Sequence, residues 1–377
     1  MIDETVFNKL TEPIKDLQIR CNTDILSVIM RKIAHIKNES DIKNTAQYDD
    51  GLLEINKIKN DYESKMQRAI ETAILDIALL AYNDCDDLYD EPHTELSRKL
   101  LGVSNELITA LLLIYYGLNS EYYVKIFNPK APAIKSYIPL ESAYNQILDK
   151  AINAKKSNLD FDTVMHDVET DLINGGLKVY NSQGYYNADS GYEALVSQAL
   201  VETAQKVYDE VGIEVKSNGV EISAHLAPAP DHAPCQGHQF SNQNWNYIQS
   251  GLDFEDIQGR KYIGFDRHIG TCNCKHLTKP IIVGVTKPTY DDAKLTNVLK
   301  ANERGYTTKN GKHYTFYECT QKLNYFRRNM KKCEQGIELA KIADNKKLLD
   351  KYTQSYNHYK QMYELFNVQL NKRLYTN

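Results

Sequence analysis

The chain has 377 residues, of which 42% are hydrophobic and 25% charged, the proportions of a folded globular protein rather than of a disordered one. Its formal net charge of −5 argues against a protein that coats nucleic acid with its whole surface, because such binding needs concentrated positive charge. The N-terminus lacks a basic start followed by an apolar run, and the longest apolar stretch, at 108–118, is too short to span a bilayer. We therefore expect a soluble protein that is made inside a cell and has no membrane partner.

Residues 1–127 are predicted to form a helical N-terminal domain, because apolar residues recur at helical spacing through most of this region. Thr11 is the expected N-cap of the first helix, with Pro13 in its first turn. A looser, proline-containing connection follows at 128–139, and helical periodicity returns from 140. Residues 128–179 are therefore predicted to be a linker and a helix.

Residues 180–315 are predicted to form a small α+β module. After an expected helix, apolar and polar residues alternate on both sides of Asn218 and Gly219, which predicts a β-hairpin over 213–225. Further short strands are expected near 261 and 280. The whole chain is thus predicted to be an α+β protein that is predominantly helical.

Residues 316–377 are predicted to form a basic C-terminal helical hairpin. Apolar positions within 323–340 and within 352–370 step by three and four residues, the spacing of a coiled-coil seam. The polar segment 343–347 separates the two runs, which favours an antiparallel pair over one long helix. From 318 onward there are 12 Lys and Arg against 6 Asp and Glu, a net charge of +6. A solvated helix face is the simpler interpretation of this charge, and a nucleic-acid site is the alternative.

The most unusual feature is a cluster of metal-binding residue types. Five of the ten histidines fall within 225–276, together with three of the seven cysteines and the only tryptophan, Trp245. These histidines are His225, His232, His238, His268 and His276. Thiolate and neutral imidazole are preferred ligands of zinc, so we hypothesise a structural zinc site. Its predicted ligands are Cys272, Cys274, His276 and His232, with Cys235 and His238 as alternatives. The competing interpretation is a loop whose histidines are only hydrogen-bonded around a buried thiol.

Two other interpretations of 221–240 stay open. Cys235 could be a nucleophile with His232 or His238 as base and Asp231 orienting the imidazole, although residues so close in sequence seldom form such a triad. Alternatively, the three prolines of this stretch make it a rigid scaffold. The usual phosphate-loop, dinucleotide, zinc-protease and nucleophile-elbow motifs are absent from the sequence. We therefore predict no catalytic or cofactor-binding residue and no enzyme, and the odd number of cysteines argues against a disulfide framework.

Four sequence elements occur in a fixed order between 223 and 290. They are a Ser-Ala-His start, a Pro-x-His-Ala-Pro-x-Gln-Gly core, a Cys-Asn-Cys-basic-His element and a Gly-Val-x-x-Pro-x-Tyr ending. In this order they resemble the phage minor capsid protein 2 family of tailed bacteriophages, which is similar to the head morphogenesis proteins typified by the F protein of phage Mu. The residues that carry the resemblance are Ser223, Ala224, His225, Pro230, Asp231, His232, Ala233, Pro234, Gln236, Gly237, Cys272, Asn273, Cys274, Lys275, His276, Gly284, Val285, Pro288 and Tyr290.

The resemblance implies a structural protein of the virion, present in few copies in the head interior or at the portal vertex and made in the cytoplasm of the bacterial host. The implied partners are the portal protein, other capsid or scaffold proteins, and packaged DNA. Two hypotheses compete with this role. One is an enzyme or toxin-like effector that uses the His and Cys cluster at 225–276, and the other is a DNA-binding accessory protein that uses the basic C-terminal hairpin.

Overall fold

Helices dominate the chain, and its strands form small antiparallel sheets, as the sequence predicts. A computed structural model describes residues 2–40, 48–88, 94–119, 121–128, 131–157, 160–181, 184–255, 260–264, 268–270 and 274–375. None of the helices in these ranges is long and apolar enough to cross a membrane.

Three long helices make up the N-terminal region. They are α1 (Glu4–Asn38), α2 (Asp50–Asn83) and α3 (Thr94–Asn119). The prediction that α1 begins at Thr11 is wrong, because Asp3 caps the helix much earlier. The Asp3 carboxylate accepts hydrogen bonds from the backbone N–H groups of Thr5 (2.8 Å) and Val6 (3.3 Å). Pro13 consequently lies inside α1 rather than in its first turn.

A four-stranded antiparallel sheet packs beside these helices. In spatial order its strands are β2 (Ala131–Pro139), β1 (Tyr123–Asn128), β3 (Leu177–Asn181) and β4 (Gly184–Asn187). The sequence predicts a loose connection at 128–139, but most of that segment forms β2. Because β2 is an edge strand, it tolerates Pro132, which has no amide proton to donate to a neighbouring strand.

The largest hydrophobic core joins the first three helices to the sheet and to the helices that follow. These helices are α4 (Leu140–Lys156), α5 (Phe161–Gly175) and α6 (Ala188–Glu214). α6 contacts α1, α2 and α3, and its side chains Tyr192, Leu200 and Tyr208 are buried within the core. The C-terminal hairpin contributes Leu339, Leu348 and other residues to the same core from its closed end, beside the turn between its two helices.

A second, smaller sheet lies against α6 and carries the His and Cys cluster. This region of the chain contains, in order, β5 (Gly219–Ile222), β6 (Gln239–Ser241), α7 (Asn242–Gln249), β7 (Phe254–Glu255), β8 (Lys261–Tyr262) and β9 (Thr278–Ile281). The sheet itself consists of β5, β6 and β9. β5 lies between β6 and β9 and is antiparallel to both, while β7 pairs with β8. The predicted hairpin over 213–225 is wrong, because 213–214 are the last residues of α6 and β5 pairs with β6 and β9 instead.

The C-terminal region is the helical hairpin that the sequence predicts. The hairpin consists of α9 (Phe316–Ile342) and α10 (Lys346–Tyr375). It is preceded by α8 (Asp292–Arg304) and by the strand pair β10 (Tyr306–Thr307) and β11 (His313–Tyr314). α9 and α10 pack against each other, and seam residues Phe326, Cys333, Tyr352 and Phe366 are buried. A capping box formed by Thr315 and the carboxylate of Glu318 fixes the start of α9.

Candidate metal centre

The candidate site lies where the chain leaves β5 and where it enters β9. Beyond the last paired residues of these strands, the backbone N–H of Ser223 donates to the carbonyl of Leu277 at 2.9 Å. The Ser223 hydroxyl in turn accepts a hydrogen bond from the backbone N–H of Leu277, also at 2.9 Å. Ser223 is buried, so this reciprocal pair continues the sheet without exposed backbone groups. The first motif residue therefore joins the two segments that carry the histidines and cysteines.

A compact turn at 231–237 positions the middle of the motif. The backbone N–H of His232 donates to the carbonyl of Ala229 (3.0 Å), and that of Cys235 donates to the carbonyl of His232 (3.1 Å). Pro234 is exposed on this turn, where its missing amide proton leaves no hydrogen bond unmade. The turn directs the imidazole of His232 inward, and this side chain is completely buried.

Three of the predicted ligands meet in this interior. The Nδ1 atom of His232 lies 3.3 Å from Sγ of Cys274, and the Nδ1 atom of His276 lies 3.4 Å from the same sulfur. All three side chains are buried, and one ligand atom from each lies within 4.8 Å of the other two. The fourth predicted ligand, Cys272, and the motif residue Asn273 lie outside the described residues. The structure thus brings the imidazole of His232 to the thiol of Cys274, 42 residues further along the chain, and to the imidazole of His276 beside it.

Each imidazole presents its other nitrogen to an oxygen acceptor. Nε2 of His232 lies 3.5 Å from Oδ2 of Asp231, and Nε2 of His276 lies 3.4 Å from Oε1 of Gln236. The Gln236 amide orientation is fixed independently, since Oε1 also accepts a hydrogen bond from the backbone N–H of His225 at 3.2 Å. Carboxylate and amide oxygens accept hydrogen bonds, so the tautomer of each ring that matches these contacts carries its proton on Nε2 and directs its Nδ1 lone pair at the sulfur.

His225 lies beside these three side chains without joining them. Its ring centroid is 4.2 Å from that of His276, and its Nδ1 atom lies 3.0 Å from the carbonyl oxygen of Leu226. Oε2 of Glu4, in the first turn of α1, lies 3.8 Å from the same Nδ1. The buried Nε2 atom of His225 has no hydrogen-bond partner among the described residues, and neither does Nε2 of Gln236.

The proposed nucleophile Cys235 points away from this cluster into an apolar one. It packs with Ile222, Phe240, Trp245 and other residues, and it is only 1% exposed. Burial raises the pKa of the Cys235 thiol to about 12, which disfavours the thiolate that nucleophilic catalysis requires.

The remaining two histidines of the cluster face outward. Nδ1 of His238 lies 3.2 Å from Nη1 of Arg260, and Nδ1 of His268 lies 3.0 Å from Oε1 of Gln249 on the surface. A catalytic triad built on Cys235 with His238 therefore has no support in the geometry, since the thiol is buried among apolar side chains and the imidazole is turned toward a guanidinium.

The other motif residues shape the backbone around the cluster. Gly237 has a φ of 74°, and a Cβ there would collide with Leu295. Gly284, with a φ of 82°, and the exposed Pro288 lie in the segment after β9. The hydroxyl of Tyr290 accepts a hydrogen bond from the backbone N–H of Ala224 at 3.1 Å, and burial raises the pKa of this tyrosine. The closing element of the motif is thereby tied to its first element.

Two sets of contacts were not predicted from the sequence, one of them buried. The completely buried carboxylate of Glu221 accepts hydrogen bonds from Nε2 of Gln239 (3.0 Å) and from the backbone N–H of Thr289 (2.8 Å). A glutamate in an alternating strand pattern gives only a weak signal for such a role. Nζ of Lys275 lies 3.5 Å from Oε1 of Glu4 and also contacts Oδ1 of Asn8. These contacts bring the start of α1 to the edge of the cluster, and no local pattern indicates them.

No curated protein and no solved structure matches the chain. A family model described as phage minor capsid protein 2 matches residues 2–366, which include all of the motif and every helix and strand up to the last turns of α10. The chain therefore belongs to the phage minor capsid protein 2 family.

Proposed function

We propose that the chain is a structural, low-copy head protein of a tailed bacteriophage that acts at or near the portal during head assembly and DNA packaging or delivery. Membership of the family makes the chain a phage capsid component whose partners are other virion proteins. The portal, the low copy number and the link to packaging are our inference.

One observation carries this proposal: the motif residues bind one another and the backbone. Ser223 pairs with Leu277, Gln236 accepts from His225, and Tyr290 accepts from Ala224. Residues used in this way hold loops in place. A motif in which three polar side chains bind its own backbone supports a scaffold more than a substrate site.

The role is tested in infected cells with a tagged copy of the full chain. We expect the portal protein to co-purify with it in clear excess over the major capsid protein, and we expect quantitative mass spectrometry of purified virions to find far fewer copies of the chain than of the major capsid protein. A failure to associate with the portal, both in lysates and in reconstitution from purified proteins, would contradict the proposed location. Absence of the chain from purified virions would contradict the structural role itself.

DNA binding by the C-terminal hairpin is a second candidate. Lys322, Arg327, Arg328, Lys332 and other basic side chains of α9 and α10 are exposed, which gives this hairpin positive surface. Binding to phosphate would weaken steeply with salt. We expect a titration of the full chain with duplex DNA at two salt concentrations to separate the candidates. A scaffold that binds only proteins should show no DNA affinity that falls steeply as the salt concentration rises.

A further inference from the structure

We propose that His232, Cys274 and His276 form a binding site for one tetrahedral divalent cation of the zinc class. The cation would join the turn at 231–237 to the segment that enters β9. This inference concerns the stability of the module and does not depend on where in the virion the chain acts.

The distances between the ligand atoms suit such a cation. Zinc binds imidazole nitrogen at about 2.0–2.1 Å and thiolate sulfur at about 2.3 Å, so a tetrahedral site places nitrogen and sulfur ligands about 3.5 Å apart. Sγ of Cys274 lies 3.3 Å from Nδ1 of His232 and 3.4 Å from Nδ1 of His276. Both sulfur-to-nitrogen distances are therefore within about 0.2 Å of those in a tetrahedral zinc site.

The protons in the cluster also favour a cation. In the tautomers that carry the proton on Nε2, opposite the oxygen acceptors, both Nδ1 lone pairs are directed at one sulfur. A single S–H proton can be donated to only one nitrogen at a time, whereas a divalent cation accepts electron pairs from both nitrogens and from the thiolate. The nitrogen and sulfur ligand set selects a zinc-like ion over magnesium or calcium, which prefer oxygen.

The surroundings supply the outer partners that metal-binding histidines need. Asp231 and Gln236 each face the distal nitrogen of a ligand, which fixes the orientation of the rings. A divalent cation with one thiolate leaves a charge of +1 in a buried site, and the Asp231 carboxylate beside His232 offsets this charge. His232 is fully buried and Cys274 and His276 nearly so, which closes the site to bulk solvent. The three described ligands occupy three of the four tetrahedral positions and leave one for a further ligand.

The first test uses the unmodified full chain and cobalt as the probe. The purified protein is stripped of metal and titrated with Co²⁺, which reports thiolate coordination through a sulfur-to-metal charge-transfer band in the near ultraviolet. We expect one cobalt per chain, a band characteristic of thiolate ligation, and displacement of the cobalt by stoichiometric Zn²⁺. The absence of stoichiometric binding, or binding without the charge-transfer band, would overturn the proposal, and neither outcome depends on a variant that folds.

The second test compares matched variants. Cys274→Ser should abolish the cobalt charge-transfer band, because it removes the one thiolate of the proposed site, whereas Cys235→Ser, which changes a buried thiol in the neighbouring apolar cluster, should leave the band intact. Likewise, His232→Gln should abolish tight binding and His238→Gln should not. Asp231→Asn should weaken Zn²⁺ binding by about 10- to 100-fold, because it removes an outer partner and no ligand. If Cys274→Ser and Cys235→Ser give the same band as the unmodified chain, the cluster is not the site.

Discussion

Gln205 on α6 binds both backbone groups of Thr278, the first residue of β9. Its side-chain Oε1 accepts a hydrogen bond from the Thr278 N–H at 3.0 Å, and its Nε2 donates to the Thr278 carbonyl at 3.3 Å. Thr278 follows the cluster by two residues, so this amide holds the small sheet against the helical core at the point where the candidate metal centre begins.

Removal of this amide should loosen the small sheet. Gln205→Ala leaves the backbone groups of Thr278 without their side-chain partner, and we expect a loss of about 1–3 kcal/mol in the free energy of unfolding. The measurement is a urea unfolding curve of the full chain. Lys206→Ala, on the exposed side of the same helix turn, is the matched control and should change stability by less than about 0.5 kcal/mol. Equal effects of the two substitutions would show that the Gln205 contacts contribute nothing.

A buried carboxyl beneath the hairpin should make stability depend on pH. Glu169 on α5 is 3% exposed, its Oε2 accepts a hydrogen bond from Nδ2 of Asn345 at 2.6 Å, and burial raises its pKa from 4.5 to about 7. Because the folded pKa lies above the unfolded one, the protonated carboxyl favours folding. This contribution is complete below pH 4.5 and is lost as the pH rises through about 7.

Glu169→Gln should remove that dependence. The amide keeps an oxygen that can accept from Asn345 but carries no charge, so we expect the variant to be more stable than the unmodified chain at pH 8 by about 1–3 kcal/mol and nearly equal to it at pH 4.5. Urea unfolding midpoints at the two pH values provide the check. Asp162 and Lys37 also act on this carboxyl, so the control for general charge effects is Asp167→Asn, at an exposed position of the same helix that is not among the groups acting on Glu169. A constant difference between Glu169→Gln and the unmodified chain across this pH range would refute the assignment.

The helices were predictable because their signals are local. The steps of three and four residues in 323–340 and 352–370 are produced by side chains that face one neighbour, and α9 and α10 pair along that seam. The chemical types of His232, Cys274 and His276 likewise pointed to a common site. Their convergence on one sulfur depends on the pairing of β5 with β9, which no local pattern encodes.

The errors arose where a local signal had a non-local cause. The sequence predicts Gly219 as a residue of a tight turn, but a Cβ at this position would lie 2.5 Å from the carbonyl oxygen of Phe240 and 2.5 Å from a methyl carbon of Val283. Glycine is therefore needed for the close packing of β5 between its neighbours. The residues predicted as the first strand of the hairpin include the end of α6, which continues to Glu214. The contact of Glu4 with Lys275 spans 271 residues of chain and could not be predicted from either segment alone.

Two helical glycines should respond in opposite directions to the same substitution. At Gly336 in α9, a Cβ would lie 2.7 Å from the ring of Tyr352 in α10 and 2.9 Å from a methyl carbon of Ile173, so Gly336→Ala should force the helices apart. At Gly102 in α3, nothing among the described atoms lies within 4 Å of such a Cβ. Gly102→Ala should therefore stabilise the chain by about 0.5–1 kcal/mol, while Gly336→Ala should destabilise it by about 1–3 kcal/mol. Thermal unfolding of the two variants measures the difference, and a gain in stability for Gly336→Ala would mean that the hairpin adjusts freely at this contact.

The hairpin is also fixed to the first helix by charge. Nζ of Lys331 on α9 lies 2.9 Å from Oε1 of Glu12 and 2.8 Å from Oδ1 of Asp16, both on α1. Burial disfavours the charged ammonium, but hydrogen bonds to Asp16 and Glu12 outweigh this effect and raise the pKa of Lys331. Lys331→Met keeps most of the aliphatic side chain and removes the charge.

We expect Lys331→Met to destabilise the chain by about 1–2 kcal/mol at low salt, because two carboxylates lose their shared partner, and we expect the difference to shrink at high salt as the ion pairs are screened. Lys332→Met is the matched control: this neighbouring lysine is exposed, so its replacement should alter the urea midpoint little at either salt concentration. If the two variants unfold at the same midpoint at low salt, the contacts with Glu12 and Asp16 do not hold α9 to α1. The attachment of the hairpin then depends on the apolar contacts at its closed end, which are made by side chains such as Leu339 and Leu348.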